Sequence, residues 1–471
     1  MNIKRIILIA MITFFGSATV LAANVDPDDF PIIKEPLSIH GVHISAIAVP
    51  NQSNVVLPTP SQCEAQFGIA CYSPPEIRKA YDVPDYLSGA GQTIVLVEAF
   101  GSPTILNDIK VFDQQFGLPD PDIHIFYPEG QPVFDNTDPN QLGWAGETTL
   151  DVSWAHAIAP GAKIDIVVGK DNMLSTFTNS EQYVFANHLG NIMSMSFGNP
   201  ESFFIYFTPS GIHNRFLEQQ HQTFQNMSRA GMTLFAASGD NGDFDYLING
   251  PGFSFFYPIG APNQPQASVP ADNPYITAVG GTDLFASDDG TYQSETVWND
   301  TDPATCAFGP CTFAGVTGGA PSLIYASPSY QTGISGQTAR TTSDVSYNAG
   351  EFYFIYTSYD PTSIGWIGGV GTSFGSPQWA GIAALINQAL GHPIGFLNPK
   401  LYSILNNSND YASAFHDITV GNNTAFFGQF GSPFIDGPGF PAIVGYDLPT
   451  GLGTPDVANL ISVLVKDNAS H

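Results

Sequence analysis

From Gln92 onward, the hydrophobic pattern alternates between two kinds of segment. Short apolar runs rich in β-branched residues are separated by longer stretches with the helical period, which predicts strands and helices in alternation. The predicted strands are QTIVLVEAF, DIHIFYP, KIDIVVG, NIMSMSF and MTLFAAS, and the predicted helices lie near Thr104–Phe116, Gly146–Ala157, Leu174–His188 and Arg215–Ala230. This alternation predicts an α/β fold, a doubly wound and mostly parallel sheet with helices on both faces. Ligands of such sheets bind at the carboxyl ends of the strands.

The remaining segments have no sustained period. Residues 24–75 are rich in Pro, Ser, Asn and Val and predict an extended N-terminal arm. Two stretches with Phe, Tyr, Gly and Pro, Pro200–Asn214 and Phe244–Gln266, predict loop insertions at the rim of the sheet. Beyond Gly280 the chain is rich in Gly, Ser and Thr until a helical pattern begins at Pro377, so we predict long rim loops within the same domain.

The N-terminus has the pattern of a secretory signal peptide. Lys4 and Arg5 precede an apolar run, and small residues stand around Ala22 and Ala23, where cleavage is expected. An uncleaved membrane anchor is the alternative, although the run is short for a membrane span. No other stretch approaches about 18 uninterrupted apolar residues. The sequence therefore predicts a secreted, extracellular protein that makes no membrane contact once the signal peptide is removed.

Export permits disulfides, and the four cysteines fall into two close pairs, Cys63 with Cys71 and Cys306 with Cys311. Local pairing is favoured, although three connectivities are possible. A zinc site is a poor alternative, because neither pair has CxxC spacing and no histidine flanks the cysteines closely.

The charge balance changes this picture in one respect. The 471 residues include 42 Asp plus Glu against 13 Lys plus Arg, a net charge of -29 at pH 7, and 43% of them are hydrophobic. A core can therefore form, and a nucleic-acid binder, which needs a basic face, is excluded. Below about pH 4 many carboxylates are protonated and self-repulsion falls, which suits an acidic medium. A soluble acidic surface without significance for pH is the alternative.

The segment Gly368–Ala384, GGVGTSFGSPQWAGIAA, contains a candidate nucleophile, Ser373. Small residues let the backbone turn tightly, and Pro377 with the Ala-rich stretch after it predicts a helix that begins just past Ser373. There the serine N–H and the helix dipole can face a developing oxyanion, as acyl transfer requires. A glycine-rich loop that only caps a helix is the alternative.

A serine hydroxyl is a weak nucleophile and needs a base within hydrogen-bond reach. None of the ten histidines stands in an HGT-like or HExxH context, whereas GETTLDVSWAHA places Glu147 and Asp151 four residues apart on one helix face. Two carboxylates there repel each other unless they share a proton, and sharing separates their pKa values into acid and base roles. A solvated acidic helix start is the alternative, and it fits Glu147 better than Asp151, whose surroundings are apolar.

A third carboxyl group follows a predicted core strand. Asp240 stands in AASGDNGD, directly after MTLFAAS, where an active site of a parallel sheet is expected. Only a protonated Asp can donate a hydrogen bond to an oxyanion, so this role requires low pH or a raised pKa. An ordinary turn-forming Asp is the alternative.

Together these three motifs resemble the sedolisin family, the serine-carboxyl peptidases with a subtilisin-like fold. The resemblance covers roughly Pro75–Val465. It implies that Glu147 is the general base, Asp151 its orienting partner, Ser373 the nucleophile and Asp240 the oxyanion-hole acid. Further similar segments are SMSFG, which resembles the substrate-pairing strand, VPADNPYITAVGGTDL, SPSYQ and ARTTSDVSYNAG.

The resemblance also concerns an outer acid and its neighbour. Glu98 in VLVEAFG resembles a carboxyl group that extends the network in some members, where a Trp often stands beside it. The corresponding position here is Phe197, which puts the extended relay in doubt but leaves the triad intact.

A calcium site is implied by the same resemblance, in FHDITVGNN and AIVGYDLPTGLGTPD. Family members bind one structural Ca²⁺ there through two Asp side chains and backbone carbonyls, the oxygen ligands that a hard cation prefers. The implied ligands are the carboxylates of Asp417 and Asp447 and the carbonyls of Ile418, Ile443 and Gly445. The family usually has Gly at the position of Ile443. Without the resemblance, both Asp residues would be interpreted as turn formers.

The resemblance predicts four parts of the chain: a signal peptide (1–22), an arm (23–75), a peptidase domain (76–466) and a short tail (467–471). Sedolisins carry a long prodomain that assists folding and blocks the site. We expect it to be missing here, so that the enzyme folds unaided, a separate chain helps, or the arm performs a reduced version of that role.

The predicted function is a monomeric endopeptidase that acts on polypeptides at acidic pH. The alternatives are a tripeptidyl aminopeptidase, an inactive binding protein on a peptidase scaffold, and a calcium-stabilised carbohydrate-binding protein.

Overall fold

The computed structural model describes residues 38–39, 45–49, 55–208, 211–244, 264–301, 315–425 and 439–468. The predicted signal peptide and the Cys306–Cys311 pair lie outside these ranges. The strands are β1 Ser38–Ile39, β2 Ser45–Val49, β3 Cys71–Tyr72, β4 Thr93–Ala99, β5 Ile123–Phe126, β6 Lys163–Gly169, β7 Ile192–Met195, β8 Phe197–Pro200, β9 Tyr206–Thr208, β10 Gly211–His213, β11 Thr233–Ala237, β12 Ser268–Val269, β13 Thr277–Ala286, β14 Tyr292–Val297, β15 Pro321–Ala326, β16 Ala339–Thr341, β17 Val345–Asn348, β18 Phe352–Thr357, β19 Gly365–Gly369, β20 Phe415–His416 and β21 Thr454–Pro455.

The helices are α1 Pro60–Phe67, α2 Pro74–Ala80, α3 Ile105–Phe116, α4 Pro139–Ile158, α5 Leu174–Asn187, α6 Arg215–Arg229, α7 Gly375–Leu390, α8 Asn398–Ile404, α9 Ser408–Ala414 and α10 Val457–Asn468. In the described part of the chain, none of them is both long enough and apolar enough to cross a membrane.

The central sheet has eight strands in the order β14-β13-β11-β7-β4-β6-β5, with β17 also paired to β13. Every pairing in it is parallel except that of β13 with β14. Strand β4 shows why the sheet is covered on both faces: Ile94 and Leu96 pack into one hydrophobic cluster, Val95 and Val97 into another. Side chains alternate across a strand, so a strand with apolar residues on both faces needs two covering layers. The predicted doubly wound α/β fold is confirmed.

The four helices predicted before residue 231 are present as α3 to α6. Helix α4 begins at Pro139, well before the predicted start at Gly146, because Asp138 caps it by accepting a hydrogen bond from the Asn140 N–H. The glycines at 143 and 146 obscured this first part of the helix in the sequence. The longer helix places Glu147 and Asp151 in its interior rather than near its start.

The prediction of long loops beyond Gly280 is wrong for much of that region. Strands β13 and β17 extend the central sheet, and β18 and β19 form a second sheet in the order β2-β19-β18-β3. The run FYFIYT of β18 is buried at every position. Apolar and aromatic residues favour a strand there, although Gly, Ser and Thr dominate the sequence around it.

The arm expected from residues 24–75 is partly regular. Strand β1 pairs antiparallel with β8, and β2 pairs antiparallel with β19. Helix α1 begins after Thr59, whose side chain and that of Gln62 form a capping box. The disulfide between Cys63 and Cys71 confirms local pairing for the first cysteine pair.

Candidate active site

Two carboxyl groups project from the interior of α4. Glu147 and Asp151 are both fully buried. They lie in the middle of a 20-residue helix, so the interpretation of a solvated acidic helix start is wrong. Burying an unpaired, ionised carboxylate costs roughly several kcal/mol, and pairing or protonation reduces this cost. These two groups therefore need partners or protons.

Ser373 lies in a short turn between β19 and α7. Gly371 has a φ of 132°, in the region that favours glycine, and a 3-10 turn over Thr372–Phe374 leads directly into α7 at Gly375. A side chain at Gly369 would meet the Phe374 ring at 2.7 Å, so this approach also requires glycine. Ser373 is fully buried, and its hydroxyl donates to the Ser196 carbonyl over 3.4 Å.

The Ser373 hydroxyl lies beside the Glu147 carboxyl group. Burial raises the pKa of Glu147 well above its usual range, the Asp151 charge adds to the rise, and the Ser373 hydroxyl opposes it. Neither Glu147 oxygen has a hydrogen bond of good geometry among the described side chains. We interpret the pair as neighbours whose hydrogen bond is not yet formed, as is common in enzymes without substrate.

Asp151 connects this pair to two further groups. Its Oδ1 accepts a hydrogen bond from the Ser196 hydroxyl over 2.9 Å, and its carboxyl group lies beside that of Glu98. Burial raises the pKa of Asp151 to about 7, against the opposing effects of Glu98 and Ser196. The pKa of Glu98 is raised well above its usual range, first by burial and then by the Asp151 and Glu147 charges. Two buried carboxyl groups this close together favour sharing a proton, because two negative charges there would repel each other.

Phe197, where some relatives have Trp beside Glu98, does not break this chain of carboxyl groups. Its ring stacks on Phe177 with the centroids 3.8 Å apart and lies near Trp144 of α4. It therefore belongs to the hydrophobic cluster on that face of the sheet. With phenylalanine at position 197, Glu98 and Asp151 lie close enough for their charges to interact.

Asp240 lies beyond the carboxyl end of β11 and faces the turn that carries the serine. Its Oδ1 accepts hydrogen bonds from the Thr372 N–H over 2.9 Å and the Thr372 hydroxyl over 2.6 Å. Its Oδ2 has no hydrogen-bond partner among the described residues, although the side chain is buried. Burial raises the pKa of Asp240 to about 6, against the two bonds from Thr372. Asp240 can therefore carry a proton on Oδ2 in acidic medium.

The structure thus brings together all four candidate catalytic residues: Glu147, Asp151, Asp240 and Ser373. Two hydroxyl residues that connect them, Ser196 and Thr372, were not singled out from the sequence. Both lie in motifs that were noted, SMSFG and GGVGTSFG, but a serine or threonine among many carries no signal of its partner.

Asp417 and Asp447 also lie together, on loops far apart in sequence. The Gly445 N–H donates to both oxygens of Asp417, over 3.1 and 3.0 Å, and the Ile443 N–H donates to Asp447 Oδ2 over 3.1 Å. Burial raises the pKa of Asp447 to about 7, and the nearby Asp417 charge adds to the rise. The Ile443 side chain is 53% exposed, so the change from Gly leaves the backbone in place.

These oxygen donors fit the chemistry of a hard cation, because two like charges held together favour a bound cation. The described residues contain no group of three or more His, Cys, Asp or Glu side chains arranged for a metal. A cation here would therefore need carbonyl ligands in addition to the two carboxylates.

The sequence and the fold have known counterparts. Residues 140–424 match the subtilase family. Kumamolisin of Bacillus sp. (strain MN-32) is 32% identical over 406 residues, which cover 84% of this chain and 64% of kumamolisin. Sedolisin of Pseudomonas sp. (strain 101) is 26% identical over 410 residues, covering 85% of this chain and 62% of sedolisin. The chain thus spans less than two thirds of these relatives.

A solved structure gives the same relationship. The structure of Pseudomonas sedolisin, a serine-carboxyl proteinase complexed with two molecules of pseudo-iodotyrostatin, matches with a TM-score of 0.66 and 25% identity, over 85% of this chain and 99% of that one. Other similar proteins are named tripeptidyl-peptidases, among them sed4 of Aspergillus fumigatus (strain ATCC MYA-4609 / CBS 101355 / FGSC A1100 / Af293), which is 24% identical over 91% of this chain and 71% of its own. The chain belongs to the subtilase family and, within it, to the sedolisin family of serine-carboxyl peptidases.

Proposed function

We propose that this chain is a secreted, monomeric endopeptidase that hydrolyses polypeptides in acidic medium through an acyl-enzyme on Ser373. The observation that carries the proposal is the position of the Ser373 hydroxyl. It is buried beside Glu147, and the adjacent Thr372 holds Asp240 with one carboxyl oxygen free. A base and an acid that can donate a hydrogen bond are the two groups that a serine nucleophile needs.

The proposed reaction uses Glu147 as base and then as acid, and Asp240 as a hydrogen-bond donor. The ionised form of Glu147, which is the minor form in acidic medium because burial raises its pKa, accepts the hydroxyl proton while Ser373 Oγ attacks the peptide carbonyl carbon. Protonated Asp240 Oδ2 and the Ser373 N–H donate hydrogen bonds to the resulting oxyanion. Glu147 then gives its proton to the leaving amine, and the C–N bond breaks. A water molecule activated by Glu147 hydrolyses the ester in the reverse sense and restores the serine.

Asp151 and Glu98 are proposed to support Glu147 without contacting the substrate. Burial, and then the Asp151 charge, raise the pKa of Glu147, which makes ionised Glu147 a stronger base. Ser196 holds Asp151 in place by a hydrogen bond, and Glu98 lies beside it.

Endopeptidase action is separable from tripeptidyl aminopeptidase action by its products. We expect the purified chain to cut a denatured protein at pH 4 into peptides of many lengths, read by mass spectrometry. Blocking the amino terminus of a peptide substrate should leave the rate unchanged. A ladder of tripeptides that disappears when the amine is blocked would instead identify the exopeptidase.

Absence of cleavage at every pH from 2 to 9 would favour a binding protein on this scaffold. Glycan binding without proteolysis would favour the carbohydrate-binding alternative.

We propose that one structural Ca²⁺ is held by Asp417 and Asp447 with the carbonyls of Ile418, Ile443 and Gly445. When bound, the ion neutralises two carboxylates and joins two loops. Calcium at about 100 times its dissociation constant stabilises a folded protein by about 2.7 kcal/mol. We therefore expect a chelator to lower the melting temperature of the chain and added Ca²⁺ to restore it.

The Asp417→Asn variant should melt at a lower temperature and respond weakly to Ca²⁺. The control is Asp122→Asn, since Asp122 is 68% exposed and lies elsewhere. An equal calcium response in Asp417→Asn would exclude this site.

A further inference from the structure

A second pair of buried carboxyl groups lies outside the catalytic cluster. Glu201 is fully buried and Asp272 is 1% exposed. Glu201 begins a 3-10 turn directly after β8, and Asp272 lies in the turn that follows β12. Neither residue takes part in the acylation described above, so the pair needs an explanation of its own.

The hydrogen bonds of Glu201 fix the position of a proton in this pair. Both of its oxygens accept hydrogen bonds from the β15 region, one from the Ser322 hydroxyl and one from the Leu323 N–H at 2.5 Å. The Asp272 carboxyl group lies beside that of Glu201, and its Oδ2 has no other hydrogen-bond partner among the described residues. Since Glu201 is already an acceptor at both oxygens, Asp272 is the group that donates. Three segments, after β8, after β12 and in β15, therefore meet at one shared proton.

This junction holds the far end of β8, the strand that begins directly after Ser196. Strand β12 pairs antiparallel with β8, with Ser268 opposite Pro200 and Val269 opposite Asn199. The Glu201 N–H donates to the Ala267 carbonyl over 3.2 Å. Strand β8 begins directly after Ser196, whose hydroxyl binds Asp151 and whose carbonyl accepts from Ser373. A displacement of β8 would therefore move Ser196 and disturb its contacts with both Asp151 and Ser373.

The ionisable groups near Glu201 and Asp272 would not compensate for the negative charge that appears when the pair loses its proton. Arg340 is the nearby cation, and its guanidinium already forms two hydrogen bonds with the Asp344 carboxylate. Tyr325 faces both carboxyl groups, and its pKa is raised well above its usual range by burial and by their charges, so it stays neutral. His221 reaches the site through Asn273, and burial lowers its pKa, so it is uncharged near neutrality. Loss of the proton leaves two buried carboxylates in contact, which is costly.

We propose that Glu201 and Asp272 are positioning residues that hold β8 in its active place through their shared proton, and that losing this proton releases β8 and inactivates the chain irreversibly. The inference rests on the proposed peptidase function, because that function gives β8 its role. Burial and the Glu201 charge raise the pKa of Asp272 well above its usual range, so folding is favoured at low pH and this contribution is lost as pH rises. The inactivation is distinct from the reversible titration of Asp240.

The test is Asp272→Asn, which keeps a donor toward Glu201 but cannot lose a proton in this range. Samples are held at pH 5 to 9, returned to pH 4 and assayed. Wild type should lose activity above neutrality, and the midpoint for Asp272→Asn should lie about one pH unit higher or more. The matched control is Glu181→Gln, a buried carboxyl group on α5 that bonds Gln220 and whose pKa is raised by burial alone, and its midpoint should move less than that of Asp272→Asn.

A second readout separates positioning from general stability. At pH 4, Asp272→Ala should raise KM about 10-fold because β8 is no longer held, and Asp272→Asn should restore it. The proposal is overturned if Asp272→Asn inactivates at the wild-type pH, or if Glu181→Gln shifts the midpoint equally. Near-UV circular dichroism on the same samples follows the release of packing without activity. A chain that shows the pH transition but never cleaves peptides would refute the peptidase function while retaining the pair.

Discussion

Replacement of Ser373 by alanine is expected to abolish peptide cleavage while the protein stays folded. Removing a serine nucleophile costs roughly 10⁶-fold in kcat, which for most peptide assays means no detectable product. The fold should tolerate the change, because the Ser373 hydroxyl makes one long hydrogen bond, 3.4 Å to the Ser196 carbonyl. Loss of such a bond costs about 1 kcal/mol or less.

The measurement is kcat/KM on a fluorogenic peptide at pH 4, with the melting temperature recorded for the same samples. Ser376→Ala is the matched control, since Ser376 is an equally buried serine on α7 that bonds Ser194 instead. That variant should retain most of its activity. Full activity in Ser373→Ala would remove Ser373 from the mechanism.

Substitution of Glu147 by glutamine is expected to lower kcat by about 1,000-fold to 10,000-fold, because an amide cannot accept the hydroxyl proton. Stability should move in the opposite direction. The pKa of Glu147 is raised in the folded state, so its contribution to stability is present at low pH and is lost as pH rises above about 4.5. The glutamine variant lacks this loss and should melt at a higher temperature than wild type near pH 6.

A loss of activity combined with equal or greater stability separates a catalytic role from a structural one. Asp151→Asn is the comparison, because Asp151 supports Glu147 without contacting Ser373. Its activity should fall less than that of Glu147→Gln. A Glu147→Gln variant that keeps wild-type kcat would assign the base to another group.

The fold of the N-terminal half could be predicted because strands such as β4 are mostly apolar and helices such as α3 and α6 are amphipathic. Strands β18 and β19 could not be separated from loops, since β19 is mostly glycine and its pairing with β2 joins residues far apart in the chain. The pairing of β1 with β8 likewise depends on tertiary contact. It places part of the arm beside the segment that resembles the substrate-pairing strand.

The candidate site was predictable where residue type limits the chemistry. A carboxyl pair such as Glu147 and Asp151 in an apolar helix is costly to bury, so its presence indicates a functional site. Asp240 directly follows a core strand, where the ligands of a parallel sheet bind. The hydroxyl groups of Ser196 and Thr372 have many possible partners, so only the structure shows that they connect Asp151, Asp240 and Ser373. The proximity of Glu201 and Asp272 could not be predicted from the sequence either, because the two residues lie 71 positions apart and only the tertiary structure brings their segments together.

The central claim, a serine nucleophile that depends on a carboxyl group keeping its proton, is tested most directly by the pH dependence of initial rates in wild type and Asp240→Asn. The pKa of Asp240 is about 6, so protonated Asp240 is lost as pH rises through 6. Wild-type kcat/KM should fall through neutrality. Asparagine can keep the bonds from Thr372 and donate through its amide, so Asp240→Asn should retain part of the activity and decline at higher pH. Asp240→Ala should lose about 100-fold to 1,000-fold at every pH. A wild-type profile that stays flat up to pH 8 would contradict the claim.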